Sequence, residues 1–131
     1  MDHSYDFYIG LSYLQLNEFK KAEEIFQKDY EYQLNEKGED WLHHLDLFYF
    51  GISKYEQKNY EGAIEMFDRA LKIYPQFSDV LCYKAEALRR IGKVKEGNEL
   101  TKDCKLFAEK GFTINEDNEK YENYPYQIRW Y

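Results

Sequence analysis

Residues 60–75 read YEGAIEMFDRALKIYP, and this stretch decides the fold. Ala63, Phe67, Ala70 and Leu71 recur at helical spacing, which places them on one face. The run stops at Tyr74-Pro75, because proline cannot continue a helix and pushes the residue before it out of α geometry. Ala63 and Ala70 share a side of the helix and let a neighbouring backbone come close. A helix with so narrow a seam cannot bury it alone. It needs a partner helix, and that pair needs another pair stacked on it.

The spacing recurs along the chain, and internal periodicity is the mark of stacked units. Gly51 precedes Ala63 by 12 residues, Gly10 precedes Ala22 by 12, and Ala85 precedes Gly97 by 12. Phe26 lies four beyond Ala22 as Phe67 lies four beyond Ala63. Phe19 and Tyr60 each stand three before their alanine, where the third copy has Val94. Through these residues the chain resembles the tetratricopeptide-repeat family, whose unit is a helical hairpin with small residues where the helices cross. The second copy, about Leu45 to Pro75, puts Gly51, Tyr60, Ala63, Phe67, Ala70 and Pro75 on motif positions. The first keeps Gly10, Tyr13, Phe19, Ala22 and Phe26 but has Asp29 where a small residue is usual. The third keeps Ala85, Leu88, Gly97 and Cys104, has Thr101 for a large apolar residue, and lacks the closing proline. Such decay suits a terminal copy whose outer face meets water. The resemblance implies an all-α fold, a right-handed superhelical stack of three hairpins over residues 1–111, with repeats at about 3–41, 44–77 and 78–111.

One interval departs from the period. Gly10 to Gly51 spans 41 residues and Gly51 to Ala85 spans 34, an excess close to two helical turns. We expect a lengthened second helix, about Glu18 to Glu36, and an early start to the third, about Asp40, with Gly38 in the turn between them.

The net charge of −7 is unevenly spread. Residues 1–46 hold 11 acids and 4 bases, residues 47–110 hold 10 and 12, and residues 111–131 hold 4 and 2. An acidic face steers basic partners and repels nucleic-acid backbone; the bland reading is a solvated surface that aids solubility. Tyrosines number 14 and phenylalanines nine, more than three helical pairs need for a core. Tyrosine joins a large contact area to a polar tip and is common at binding surfaces. No apolar run is long enough to cross a membrane. The opening MDHSYDFYIG lacks a secretion-signal pattern, so a cytoplasmic location is expected. Cys82 and Cys104 fall in expected helices without a C-x-x-C motif. In a reducing compartment they read as free thiols, a disulfide between them being unneeded.

The resemblance also implies a concave surface lined by the first helix of each pair. Carried over by position, its residues are Phe7, Leu11 and Leu14, then Phe48, Ile52 and Tyr55, then Asp79, Cys82, Glu86 and Arg89. Family members that hold a chaperone's C-terminal carboxylate use a Lys, Asn and Arg clamp. Phe7, Leu11, Tyr49, Asp79 and Tyr83 stand at those positions here, which excludes that ligand. The end of the chain, residues 112–131, is expected to dock on the array. It has a candidate cap at Asn115, a short helix at about 116–122, and the aromatic run Tyr124-Pro125-Tyr126-Gln127-Ile128-Arg129-Trp130-Tyr131.

Catalytic chemistry finds no foothold. Nucleophile-elbow, phosphate-loop and H-E-x-x-H patterns are absent from the sequence. His43 and His44 point about 100° apart on a helix and cannot share a metal, so neither cofactor nor metal is expected. Arg89, Arg90, Lys93 and Lys95 form a short basic cluster, read as a solvated turn or a contact for an acidic peptide. We therefore expect a non-catalytic protein–protein interaction module, a scaffold or adaptor for a peptide or protein, basic in character, with neither nucleic acid nor membrane as partner. A second copy could also fill the groove. Being small, acidic and leaderless, the chain resembles bacterial immunity proteins as well, so neutralising a cognate toxin is the alternative. A signalling-peptide sensor is a third reading, although such sensors carry more repeats and an output domain.

Overall fold

The computed structural model describes residues 4–113 and 125–126. Six helices follow one another: α1 Tyr5–Gln15, α2 Phe19–Lys37, α3 His44–Glu56, α4 Tyr60–Ile73, α5 Ser78–Arg90 and α6 Val94–Glu109. Packing runs between chain neighbours, α1 on α2, α2 on α3, α3 on α4, α4 on α5 and α5 on α6, with a lighter contact of α1 on α3. Among the described residues the first and last hairpins share no comparable interface, so the helices stack as sequential hairpins and do not close into a bundle.

The hairpin turns show why the sequence folds in register. Asn17, Lys58 and Gly92 each take a left-handed backbone, with φ of 60°, 65° and 93°. They are separated by the same 41 and 34 residues as the small residues of the helices. Around each, the N–H of the next residue reaches back to a carbonyl five residues earlier: Glu18 to Tyr13 at 2.8 Å, Asn59 to Lys54 at 2.9 Å, and Lys93 to Leu88 at 2.9 Å. These bonds satisfy carbonyls that the helix end would leave open. Asn59 then caps α4, its Oδ1 accepting from the Gly62 N–H at 3.1 Å.

Close approach explains the small residues. A Cβ on Gly51 would lie 2.6 Å from the Phe67 ring, and one on Gly10 would overlap Phe26. In the last hairpin the roles reverse, and a Cβ on Gly97 would lie 2.6 Å from the Ala85 carbonyl oxygen. Phe48, fully buried, is the hub of the core, with ring centroids 6.0 Å from Phe67, 5.5 Å from Phe77 and 5.7 Å from Tyr83.

Of the seven extra residues, five lengthen α2, which runs 19 residues against 14 in α4, and two lengthen the connection that follows it. The early start of the third helix is corrected: Glu39–Trp41 form a 3-10 turn, and α3 begins only at His44. Leu42 and His43 are extended, with ψ of 136° and 139°, and the His43 Nδ1 caps the new helix by accepting from the Leu45 N–H at 3.0 Å. The free-thiol reading is also corrected. Cys82 and Cys104 are joined in a disulfide across the last hairpin, with Cα atoms 5.3 Å apart.

Candidate functional site

Two residues of the C-terminal segment, Pro125 and Tyr126, sit where α3 and α5 come together. The Tyr49 hydroxyl donates to the Pro125 carbonyl oxygen at 2.8 Å, and the Tyr126 hydroxyl donates to the Glu56 carboxylate at 2.8 Å. Tyr49 and Glu56 are seven apart on α3 and so share a face. From α5 the Tyr83 ring meets Tyr126 edge-on, with centroids 6.0 Å apart. Burial, helped by Tyr55 and the charges of Asp79 and Glu56, pushes the Tyr83 phenol well above the ordinary tyrosine range. Burial and the hydrogen bond to Glu56 do the same for Tyr126. Burial and the nearby Glu86 raise Tyr55. The surface is therefore aromatic, hydrogen-bonding and neutral in its phenols. The candidate cap at Asn115, the short helix at 116–122 and the rest of the aromatic run lie outside the described residues.

The residues carried over for the groove lie one position behind this surface. Phe7, Leu11, Leu14, Phe48 and Ile52 are buried, so the structure gathers them into the core. Tyr55 is half-buried between the rings of Tyr60 and Tyr83. Cys82 and Arg89, seven apart on α5, both face α6: one bonds Cys104, the other donates to the Thr101 hydroxyl at 2.8 Å. Glu86 holds Arg89 and Arg90 at 3.5 and 3.4 Å. The residues that meet the tail, Tyr49, Glu56 and Tyr83, each follow a carried-over one. A step of one residue turns a helix by about 100°, enough to exchange core for groove. The clamp positions already contained two of them, Tyr49 and Tyr83.

A second concavity lies on the acidic side. A cleft of about 560 Å³ opens between the start of α1, the end of α2 and the 3-10 turn, lined by Ser4, Asp6, Asp29 and Asp46 with the exposed rings of Tyr5, Tyr32 and Trp41. Lys28 and Lys37 also border it. Asp29 is buried, and accepts from the Ser4 hydroxyl at 3.1 Å and the Gln33 amide at 2.9 Å. Burial pushes its pKa up, and the charges of Asp46 and Asp6 add to the rise against those two hydrogen bonds. The acid in place of the usual small residue is thus tied into the mouth of this cleft. Among the described residues no group of three or more His, Cys, Asp or Glu is placed to hold a metal, and no helix is long and apolar enough to cross a membrane.

Residues 45–77, the hairpin of α3 and α4, match the family model for the tetratricopeptide repeat. That hairpin is therefore similar to a tetratricopeptide repeat. A solved structure titled "MamA MSR-1 C2" is similar to it in fold, with a TM-score of 0.67 and 19% sequence identity over 80% of this chain. The match covers 56% of that chain, so this one spans little more than half its length. A comparison with curated proteins finds no match. Tetratricopeptide repeats are in general protein–protein interaction modules and are typically non-catalytic.

Proposed function

We propose that the array is a scaffold or adaptor that holds a protein or peptide partner on the face where α3 and α5 meet. The observation that supports this reading is the seat of Pro125 and Tyr126, whose backbone carbonyl and hydroxyl are both taken by groove residues. A surface that receives a turn of chain through one backbone bond, one side-chain bond and one ring contact is suited to peptide recognition. Tyr55 packs against Tyr83 beside it, while the buried rings of Phe7 and Phe48 support Tyr49 from behind.

The acidic cleft favours a second reading, in which the partner is a basic toxin and the chain its immunity protein. The first 46 residues carry the whole net charge imbalance of the chain, and three exposed aromatic rings rim the cleft. Aromatic rings beside carboxylates suit lysine or arginine side chains.

The test is affinity capture with the tagged full chain from its source cell, identification by mass spectrometry, and titration of the purified partner. An adaptor gives dissociation constants nearer micromolar, an inhibitor nanomolar or tighter. Glu56→Ala with Tyr83→Ala should weaken an adaptor's partner at least tenfold. Unchanged affinity in that variant would overturn the groove reading, and loss of binding on changing Tyr5, Tyr32 and Trp41 to alanine would move the interface to the cleft.

A further inference from the structure

The groove already holds an occupant, and that occupant is part of this chain. We infer that Pro125–Tyr126 is an internal ligand of the surface formed by Tyr49, Glu56 and Tyr83, so that an external partner must displace it and must itself present a proline–tyrosine pair or its chemical equivalent. The inference rests on the groove being the binding surface.

Three features make the pair a ligand in kind. Its contacts come from two different hairpins, with Tyr49 and Glu56 on α3 and Tyr83 on α5. They divide as recognition contacts do: Tyr49 reads a backbone carbonyl, which any peptide offers, while Glu56 and Tyr83 read a phenol. The hydroxyl of Tyr49, a fully buried residue, has the Pro125 carbonyl as its acceptor, so the site is built to receive a carbonyl there.

The seated pair is also strained. Tyr126 holds φ at +61°, in the left-handed region where a bulky side chain is an outlier. Such a conformation persists only while surrounding contacts hold it. Leaving the groove relieves the strain, whereas a partner that reaches the same anchors with ordinary backbone angles does not carry it. The internal ligand is therefore placed to be exchanged. It still competes well, because a tethered segment acts at an effective concentration of about millimolar when its linker is short.

The probe is a fluorescein-labelled peptide of the chain's own residues 121–131, YENYPYQIRWY, titrated by anisotropy into the full-length wild type, Tyr126→Ala and Tyr126→Phe. We expect weak binding to the wild type and at least tenfold tighter binding to Tyr126→Ala, whose site is vacated. Tyr126→Phe keeps the ring and loses only the bond to Glu56, so it should fall between the two and guards against a folding defect in the alanine variant. Adding Glu56→Gln and Tyr83→Ala to Tyr126→Ala should abolish the gain. Equal affinity for wild type and both Tyr126 variants, or a gain that survives the groove substitutions, would overturn the inference. A partner that depends on Glu56 and Tyr83 but binds wild type and Tyr126→Ala equally would overturn the gating alone, leaving the proposed function in place.

Discussion

Single residues carry the register of this fold. Lys58 sits at φ 65° in a turn whose counterpart in the last hairpin is Gly92. A residue with a Cβ is strained there and glycine is not. Lys58→Gly should therefore raise stability by up to about 1 kcal/mol, and Gly92→Ala should lower it by a similar amount, both read from urea midpoints. Phe48→Ala removes the hub of the core and should cost about 3–5 kcal/mol, which makes it a stability variant and unsuitable for mapping a partner. Two carboxylates set opposite trends with pH. Burial works against ionisation of Glu23, but the Lys54 and Gln57 hydrogen bonds, both at 2.7 Å, and the Lys54 charge outweigh it and hold its pKa low. Its contribution is present above the ordinary glutamate pKa and is lost as pH falls through the lowered one. Asp29 has a raised pKa. Its contribution is present below the ordinary aspartate pKa and is lost as pH rises through the raised one. Asp29→Asn should thus gain most over wild type at neutral pH, with the gap closing on acidification in denaturation curves taken from pH 7 to 3.

At the scale of the helix, the crossings were legible and the faces were not. The 12-residue spacing of Gly10 and Ala22, Gly51 and Ala63, and Ala85 and Gly97 located three hairpins, because small residues are needed wherever two backbones approach. In α3, however, Leu47, Phe48, Tyr49 and Phe50 are consecutive, apolar and all buried. Periodicity cannot pick a face from a run that is apolar all round, and α3 is covered by α2, α4 and the tail at once. Carry-over by motif position put Phe48 and Tyr55 toward a groove, whereas the residues that touch Pro125 and Tyr126 are Tyr49 and Glu56. The disulfide did have a signal. In an antiparallel hairpin where Ala85 opposes Gly97, residues before the first meet residues after the second, and Cys82 and Cys104 are such a pair. Their bond closes a loop with a sequence separation of 22, for which chain entropy suggests about 3 kcal/mol. We expect a thiol reagent to find no reactive cysteine in the oxidised protein and two after reduction and unfolding. Reduction alone should lower the melting temperature, and an unchanged melting curve would show that the bond is absent from the native protein.

At the scale of the whole molecule, an open stack leaves one side of its first helices available, and the central question is whether a partner is held there. The second hairpin sits between the other two, joined to the first by Lys54–Glu23 at 2.7 Å and to the third by Lys84–Asp68 at 2.6 Å. A ligand touching α3 and α5 therefore bridges hairpins and should stiffen the array. Hydrogen exchange of the full chain, with and without its purified partner, tests this most directly. The account predicts slowed exchange in peptides covering Tyr49–Glu56 and Asp79–Tyr83, with little change in α4 and α6. Protection confined to α2 and the 3-10 turn, with α3 and α5 unaffected, would contradict it.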